Sequence, residues 1–136
     1  MTDSVLRVLP TLDEPSAFFW RSGEDGKLRF LRCAACSYLI HPPAPICPRC
    51  EHRAAAPAVV SGRGTLHSFT VNHQPWDGAG EPYVIGLVEI DEQADVRLTT
   101  NIVGIDPDDV QIGMRVEVEF EDHAPVFIPL FRPVST

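Results

Sequence analysis

Four cysteines constrain this chain more than any other feature. Cys33, Cys36, Cys47 and Cys50 are the only ones present, and they fall as two Cys-x-x-Cys pairs ten residues apart in RCAACSYLIHPPAPICPRC. Two such knuckles, joined by a proline-stiffened excursion, present the four thiolates that a tetrahedral metal site requires. An ion held by four sulfurs has no open position for water or substrate, so the motif explains how part of the chain is held together and leaves its activity to be sought elsewhere. Both zinc and iron accept tetrahedral sulfur. Structural zinc is the expectation, because nothing else in the chain suggests a redox partner or a flavin site; iron would make the protein a rubredoxin-like electron carrier. His41 and His52 lie close to the cysteines, and with four thiols at regular spacing neither is needed as a ligand.

Charge divides the chain of 136 residues in two. Residues 1–53 carry 7 basic and 6 acidic side chains and residues 54–136 carry 4 and 13, consistent with a net charge of −8. An acidic second half repels a phosphate backbone, which argues against a nucleic-acid partner. No apolar run approaches the roughly 20 residues that span a bilayer, and the N-terminus has no basic segment followed by an apolar one. A cytoplasmic protein is expected, and in a reducing compartment the cysteine pairs read as metal ligands rather than disulfides.

The patterning predicts a division into an arm, short helix and metal ribbon (1–58) and a barrel (59–136). The ribbon half opens with a helix over Pro15–Arg21, stopped by Gly23, carrying Phe18, Phe19 and Trp20 in succession. Three adjacent aromatics spread over roughly 200° of a helix surface, so one small core cannot easily bury them all, and some are expected to meet a partner. A strand over Lys27–Arg32 then feeds the first knuckle. Residues 51–58, with three consecutive alanines, read as a link.

From Val59 the pattern changes to strands. They are expected over Gly64–Gln74 (with His67, Phe69 and Val71 on one face), Tyr83–Ile90, Val96–Val103, Met114–Phe120 and Val126–Phe131. A Gly- and Pro-rich loop over Pro75–Pro82 displays Trp76. Tyr83–Ile90 is nearly all apolar, as a strand covered on both faces would be. Pro129 suggests an edge or a bulge in the last strand. Between the third and fourth strands, Asp106 can cap and Pro107 can start a short helix ended by Gly113. Five strands with one helix in that place is the order of an OB barrel. The fold expected is therefore mainly β: an N-terminal helix and rubredoxin-like zinc ribbon, then a five-stranded OB-fold barrel.

The ordered set of the aromatic helix, RCAAC and HPPAPICPRC, GRGTLHSFTVNH, PYVIGLVEI, LTTNIVG, DPDDVQIGMRVEVEFE and PLFRP resembles the acyl-CoA-associated proteins that pair a rubredoxin-like zinc ribbon with an OB-fold. The resemblance covers about residues 16–133. It implies an accessory subunit of a thiolase-superfamily enzyme acting on acyl-CoA, foremost the aldolase that cleaves a steroid side chain, alternatively a thiolase or condensing enzyme; related steroid-degrading proteins carry the same module fused to a hydratase subunit. One departure is Ser37, where the family has Gly after the first knuckle, so Ser37 must accept an unfavourable backbone conformation or the knuckle must differ.

Independent catalysis finds little support in the residues. If all four cysteines bind metal, none remains as a nucleophile. His67 shares a strand face with apolar residues and reads as a satisfied barrel histidine, while His73 stands near Trp76 and Asp77. The expectation is a non-catalytic, cytoplasmic subunit of a hetero-oligomer with a thiolase-like partner, with zinc on Cys33, Cys36, Cys47 and Cys50 and a partner contact through Phe18, Phe19 and Trp20. Should this chain touch CoA, Arg29, Arg32, Arg49 and Arg53 are the candidates for its phosphates. An OB-fold nucleic-acid binder and an electron carrier are the competing classes.

Overall fold

The computed structural model describes residues 8–74 and 80–134. The loop expected to display Trp76 and Asp77 lies outside the described residues. Helix α1 (Ala17–Arg21) runs directly into a 3-10 turn over Ser22–Asp25, and the chain leaves that turn through Gly26 at φ 79°. The stop is therefore Gly26, not Gly23. Gly23 lies inside the turn and is buried, and an added Cβ there would collide with the Phe120 ring. What it supplies is close approach.

The ribbon is a three-stranded antiparallel sheet in the order β2-β1-β3, formed by β1 (Arg29–Cys33), β2 (Leu39–Ile40) and β3 (Ala55–Val59). Its third strand corrects the reading of residues 51–58 as a link: Ala55–Val59 pairs with all of β1, from Cys33↔Ala55 to Arg29↔Val59. A run of small residues carries no alternation from which a strand could be read. It is an edge strand. Ala54 and Val60 bond β1 through their backbones, so by alternation Pro57 turns its missing N–H to the free edge, where no ladder bond is lost.

The barrel closes in the order β4-β5-β6-β8-β7, with β4 (Arg63–Asn72), β5 (Tyr83–Ile90), β6 (Arg97–Ile102), β7 (Arg115–His123) and β8 (Val126–Pro133). The expected helix between the third and fourth barrel strands is only a 3-10 turn, Pro107–Asp109, capped by the Asp106 side chain accepting from the Asp108 N–H at 2.9 Å.

Two further expectations change. In β4 the register slips between Leu66 and Ser68, so His67 is the extra residue of a bulge. The slip lets Leu66 and Phe69, three apart, both serve the core, and it leaves His67 exposed with Nδ1 3.4 Å from Glu89. His67 is thus not a barrel-interior histidine. In β5 one face alone is buried: Val84, Gly86, Val88 and Ile90 point inward, while Tyr83, Ile85 and Leu87 stand exposed or half-buried. Pro129 sits within the closed barrel. Its carbonyl faces β6 and accepts from the Thr100 hydroxyl at 2.9 Å, on the one seam whose strand pairing is a single parallel bridge, Ile102↔Phe131. Proline is tolerated there because that edge has almost no ladder to break.

One apolar core joins the two parts. Phe19, Leu28, Phe30 and Leu39 of the ribbon half pack in the same cluster as Leu66, Val88, Val116 and Phe131 of the barrel.

Candidate metal centre and the ribbon–barrel seam

The two knuckles repeat each other atom for atom. In the first, the Ser37 N–H donates to the Cys33 carbonyl (3.1 Å) and the Cys33 N–H to Tyr38 O (2.9 Å). In the second, Glu51 N–H donates to Cys47 O and Cys47 N–H to His52 O, both at 2.9 Å. Each turn also aims one backbone N–H at a sulfur, from Ala35 to Cys33 Sγ and from Arg49 to Cys47 Sγ, at 3.4 Å. Such a tight reversal demands a left-handed residue after the second cysteine, and Ser37 (φ 66°) and Glu51 (φ 67°) occupy those positions. The strain expected at Ser37 is present. That at Glu51 was missed, although its equivalent position after Cys50 signals it.

All four sulfurs lie within 4.8 Å of one another, with Cys33–Cys50 at 3.5 Å and Cys36–Cys47 at 3.7 Å. A tetrahedron with Zn–S bonds of about 2.3 Å has sulfurs about 3.8 Å apart, so the residues fit such an ion. The thiols themselves call for a cation. Backbone N–H groups of Cys36 and Ala35 bring Cys33 down to about 6. Cys50, although pulled down by the backbone at His52, is pushed up to about 12 by burial and by its thiol neighbours. Four sulfurs this close cannot all ionise unless a positive charge sits among them. The four cysteines form a zinc-ribbon type of metal site. Neither His41 nor His52 belongs to the cluster.

A turn of the barrel fastens this ribbon, and nothing in the sequence reading anticipated it. Between β5 and β6, the Gln93 side chain pairs with Leu39 of β2 as a neighbouring strand would: its Oε1 accepts from the Leu39 N–H and its Nε2 donates to the Leu39 carbonyl, both at 2.9 Å. Tyr38 donates its hydroxyl to Asp95 at 2.7 Å, and the Ser61 N–H donates to Glu92 at 2.6 Å. Asp91, at the head of the turn, takes a bidentate bond from Arg115 on β7 at 2.6 and 2.7 Å.

The aromatic helix separates into different roles. Phe19 is 4% exposed, 5.9 Å from Phe30 and 5.0 Å from His41 between ring centres, so it belongs to this chain's own core and cannot be a partner contact. Helical rotation turns its neighbours Phe18 and Trp20 away to half-buried positions at the core's rim. The four arginines do not converge. Arg29 is held by Asp25 through two bonds at 2.7 and 3.0 Å, which draw the Asp25 carboxyl down to about 2. Arg32, three residues along β1, lies on the opposite strand face; Arg49 sits 5.6 Å above the Tyr38 ring. Arg53 is exposed.

His41, set aside as a ligand, occupies the seam. Its ring stands T-shaped to Phe30 with centres 4.8 Å apart, and burial brings its pKa down to about 4. It lines a groove of about 400 Å³ with Trp20, Pro42, Pro43 and Leu98, which continues past Phe19, Trp20, Leu98 and Thr99 into a second lobe of about 210 Å³ beneath the β6–β8 seam. No helix among the described residues is long and apolar enough to cross a membrane.

Two family models match separate stretches of the chain. The family model described as the ChsH2 rubredoxin-like zinc ribbon domain matches residues 20–55, and that described as the ChsH2 C-terminal OB-fold domain matches residues 58–121. A probable enoyl-CoA hydratase alpha subunit of Thermomonospora curvata is 40% identical over 94% of this chain. The 3-oxo-4,17-pregnadiene-20-carboxyl-CoA hydratase alpha subunit of Mycobacterium tuberculosis is 39% identical over 88% of it. The chain spans 40% and 37% of the lengths of these two relatives. A DUF35 domain-containing scaffold protein of Methanothermobacter thermautotrophicus is 37% identical, over 65% of this chain and 68% of that one. Among solved structures, one chain of an Ltp2-ChsH2(DUF35) aldolase superposes with a TM-score of 0.82 at 38% identity, over 92% of this chain and 98% of that one.

Proposed function

The chain belongs to the DUF35/ChsH2 family of zinc-ribbon and OB-fold proteins, and from that premise we propose that it is a non-catalytic accessory subunit of a thiolase-superfamily enzyme acting on acyl-CoA, foremost a steroid side-chain-cleaving aldolase. The ion is zinc, held by Cys33, Cys36, Cys47 and Cys50, and its part is to keep the ribbon folded. One observation carries the accessory reading: the outer face of β5. An antiparallel strand on a free-standing barrel should be polar outward, whereas Tyr83, Ile85 and Leu87 make an apolar stripe there. A stripe of this kind on a chain whose cysteines are all gathered at a closed metal site suits a protein that is completed by another subunit.

Phe18 and Trp20 remain candidates for the same contact, and Phe19 does not. The likeness to one chain of a two-component aldolase favours the lyase partner; the family resemblance leaves a thiolase or condensing enzyme as the second reading. The acidic barrel argues against nucleic acid. Co-expression with thiolase-like candidates tests the proposal. A stable complex with acyl-CoA lyase activity, absent from either chain alone and lost in Ile85→Glu/Leu87→Glu, is the expected result. Turnover by the isolated chain, or an active complex that tolerates both charges, would sink it.

A further inference from the structure

The seam groove has the makings of a ligand site. Its two lobes share Phe19, Trp20, Leu98 and Thr99, and together they run from the turn at His41–Pro42 to β8 at Ile128. Its larger lobe, at about 400 Å³, falls in the range of roughly 300–1,000 Å³ typical of small-molecule sites. The barrel carries a large acidic excess, yet among the described residues no Asp or Glu lines either lobe. Arg97, the one formally charged lining residue among those described, is engaged by Glu89 at 3.3 Å. The walls therefore offer no net charge to a ligand, and select a neutral one.

His41 supplies the polar feature. Its Nδ1 is sealed from solvent and has no hydrogen-bond partner among the described residues. The ring lines the groove, and Nε2 is not among the sealed, unpaired atoms of the described residues, which leaves it as the ring nitrogen available to a ligand. A buried unpartnered N–H costs more than a buried unpartnered lone pair, which places the single proton of the neutral ring on Nε2. Burial holds the ring neutral at physiological pH. The groove thus presents one fixed N–H donor on an aromatic and aliphatic wall.

We propose that this groove binds a small, neutral, largely apolar molecule bearing a carbonyl oxygen, which accepts a hydrogen bond from His41 Nε2–H. Trp20 and Ile85 line this groove and also belong to the proposed partner surface, so the assignment is tested on the chain without its partner. A hydrogen bond of this kind is worth about five- to tenfold in affinity.

The test uses the metal-loaded full chain and two probes of one shape, the bicyclic ketone decalone and its parent hydrocarbon decalin. Binding is followed by NMR at the methyls of Leu98 and Ile128, the Trp20 indole N–H and the His41 ring. Saturable shifts at those positions are expected, with decalone several-fold tighter. His41→Phe keeps an aromatic ring against Phe19 and Phe30 and should make the two probes bind equally. Thr99→Trp, at an exposed β6 position, should block both without burdening the core. Absence of saturable shifts in the groove, equal affinity for the two probes in the unmodified chain, or a ketone preference that survives His41→Phe would each overturn the assignment.

Discussion

The ribbon and the barrel are both small β structures, and they are held together by different means. The barrel closes its own hydrogen-bond ladder and buries an alternating set of aliphatic side chains, among them Leu66, Val84, Val88 and Val116. Inside the ribbon, the cluster around the metal site contains Cys33, Ile40 and Cys47 as its fully buried members, with Leu31, Tyr38 and Ala44 against it. That is too little apolar surface to stabilise three strands. The deficit is met from three outside sources: the apolar core that Leu28, Phe30 and Leu39 share with the barrel, an ion among the four sulfurs, and the side chains of the β5–β6 turn. A barrel is stable by closure, whereas this ribbon is stable by attachment.

The largest way to break the comparison is to remove the ion. Cys47→Ser, or exhaustive chelation, should unfold the ribbon and leave the barrel standing, because metal binding and ribbon folding are one event. Amide exchange resolves the two: protection in β1 and β2 should vanish while that of β5 and β6 persists. Equal loss in both would mean that the barrel depends on the ribbon too.

A smaller effect concerns pH at the seam. Burial places the His41 pKa at about 4 in the folded chain against an ordinary value of 6.5. The unfolded chain therefore takes up the proton first, so the stability this ring contributes is complete above pH 6.5 and is lost as pH falls toward 4. The loss amounts to about 3 kcal/mol at most. Urea midpoints between pH 4.5 and 7 should slope less in His41→Phe than in the unmodified chain, with cysteine protonation common to both.

Gln93→Ala tests attachment directly. It removes both partners of the Leu39 backbone at once and should cost about 1–2 kcal/mol, read as easier zinc release to a chelator with little change in barrel unfolding. The smallest change runs the other way. Ser37→Gly relieves a left-handed residue and should strengthen zinc retention by about 1 kcal/mol, and no gain would show that the Ser37 conformation carries no strain.

What could be read in advance follows the same division of causes. Metal ligation needs fixed spacings and the residue types that satisfy it are few, so the four cysteines were visible in the chain itself, whereas the strain at Ser37 followed from the family resemblance. Met114–Phe120 declared itself as a strand by alternation; Tyr83–Ile90 was placed to the residue from its apolar run, although that run was wrongly read as covered on both faces. Elements made by long-range partners were not visible. Ala55–Val59 is a strand only because β1 lies beside it, and its own residues carry no period. The bulge at His67 inverted the facing of half of β4, which a period of two cannot foresee. Phe19 was grouped with its neighbours because adjacency in a helix does not say which of three rings points inward. Glu92, Gln93 and Asp95 looked like a polar turn, and their partners lie 31 to 57 residues away.

That separation sets a schedule for the chain as it is made. Leu39 and Tyr38 emerge 54 and 57 residues ahead of the side chains that fasten them. At about 5–20 residues per second, the ribbon waits roughly 3 to 11 s at the ribosome with its outer strand uncovered. Both knuckles are complete by Cys50, more than forty residues before Gln93 arrives. Capture of the ion during synthesis would therefore guard the nascent chain through an interval in which no other part of the molecule can.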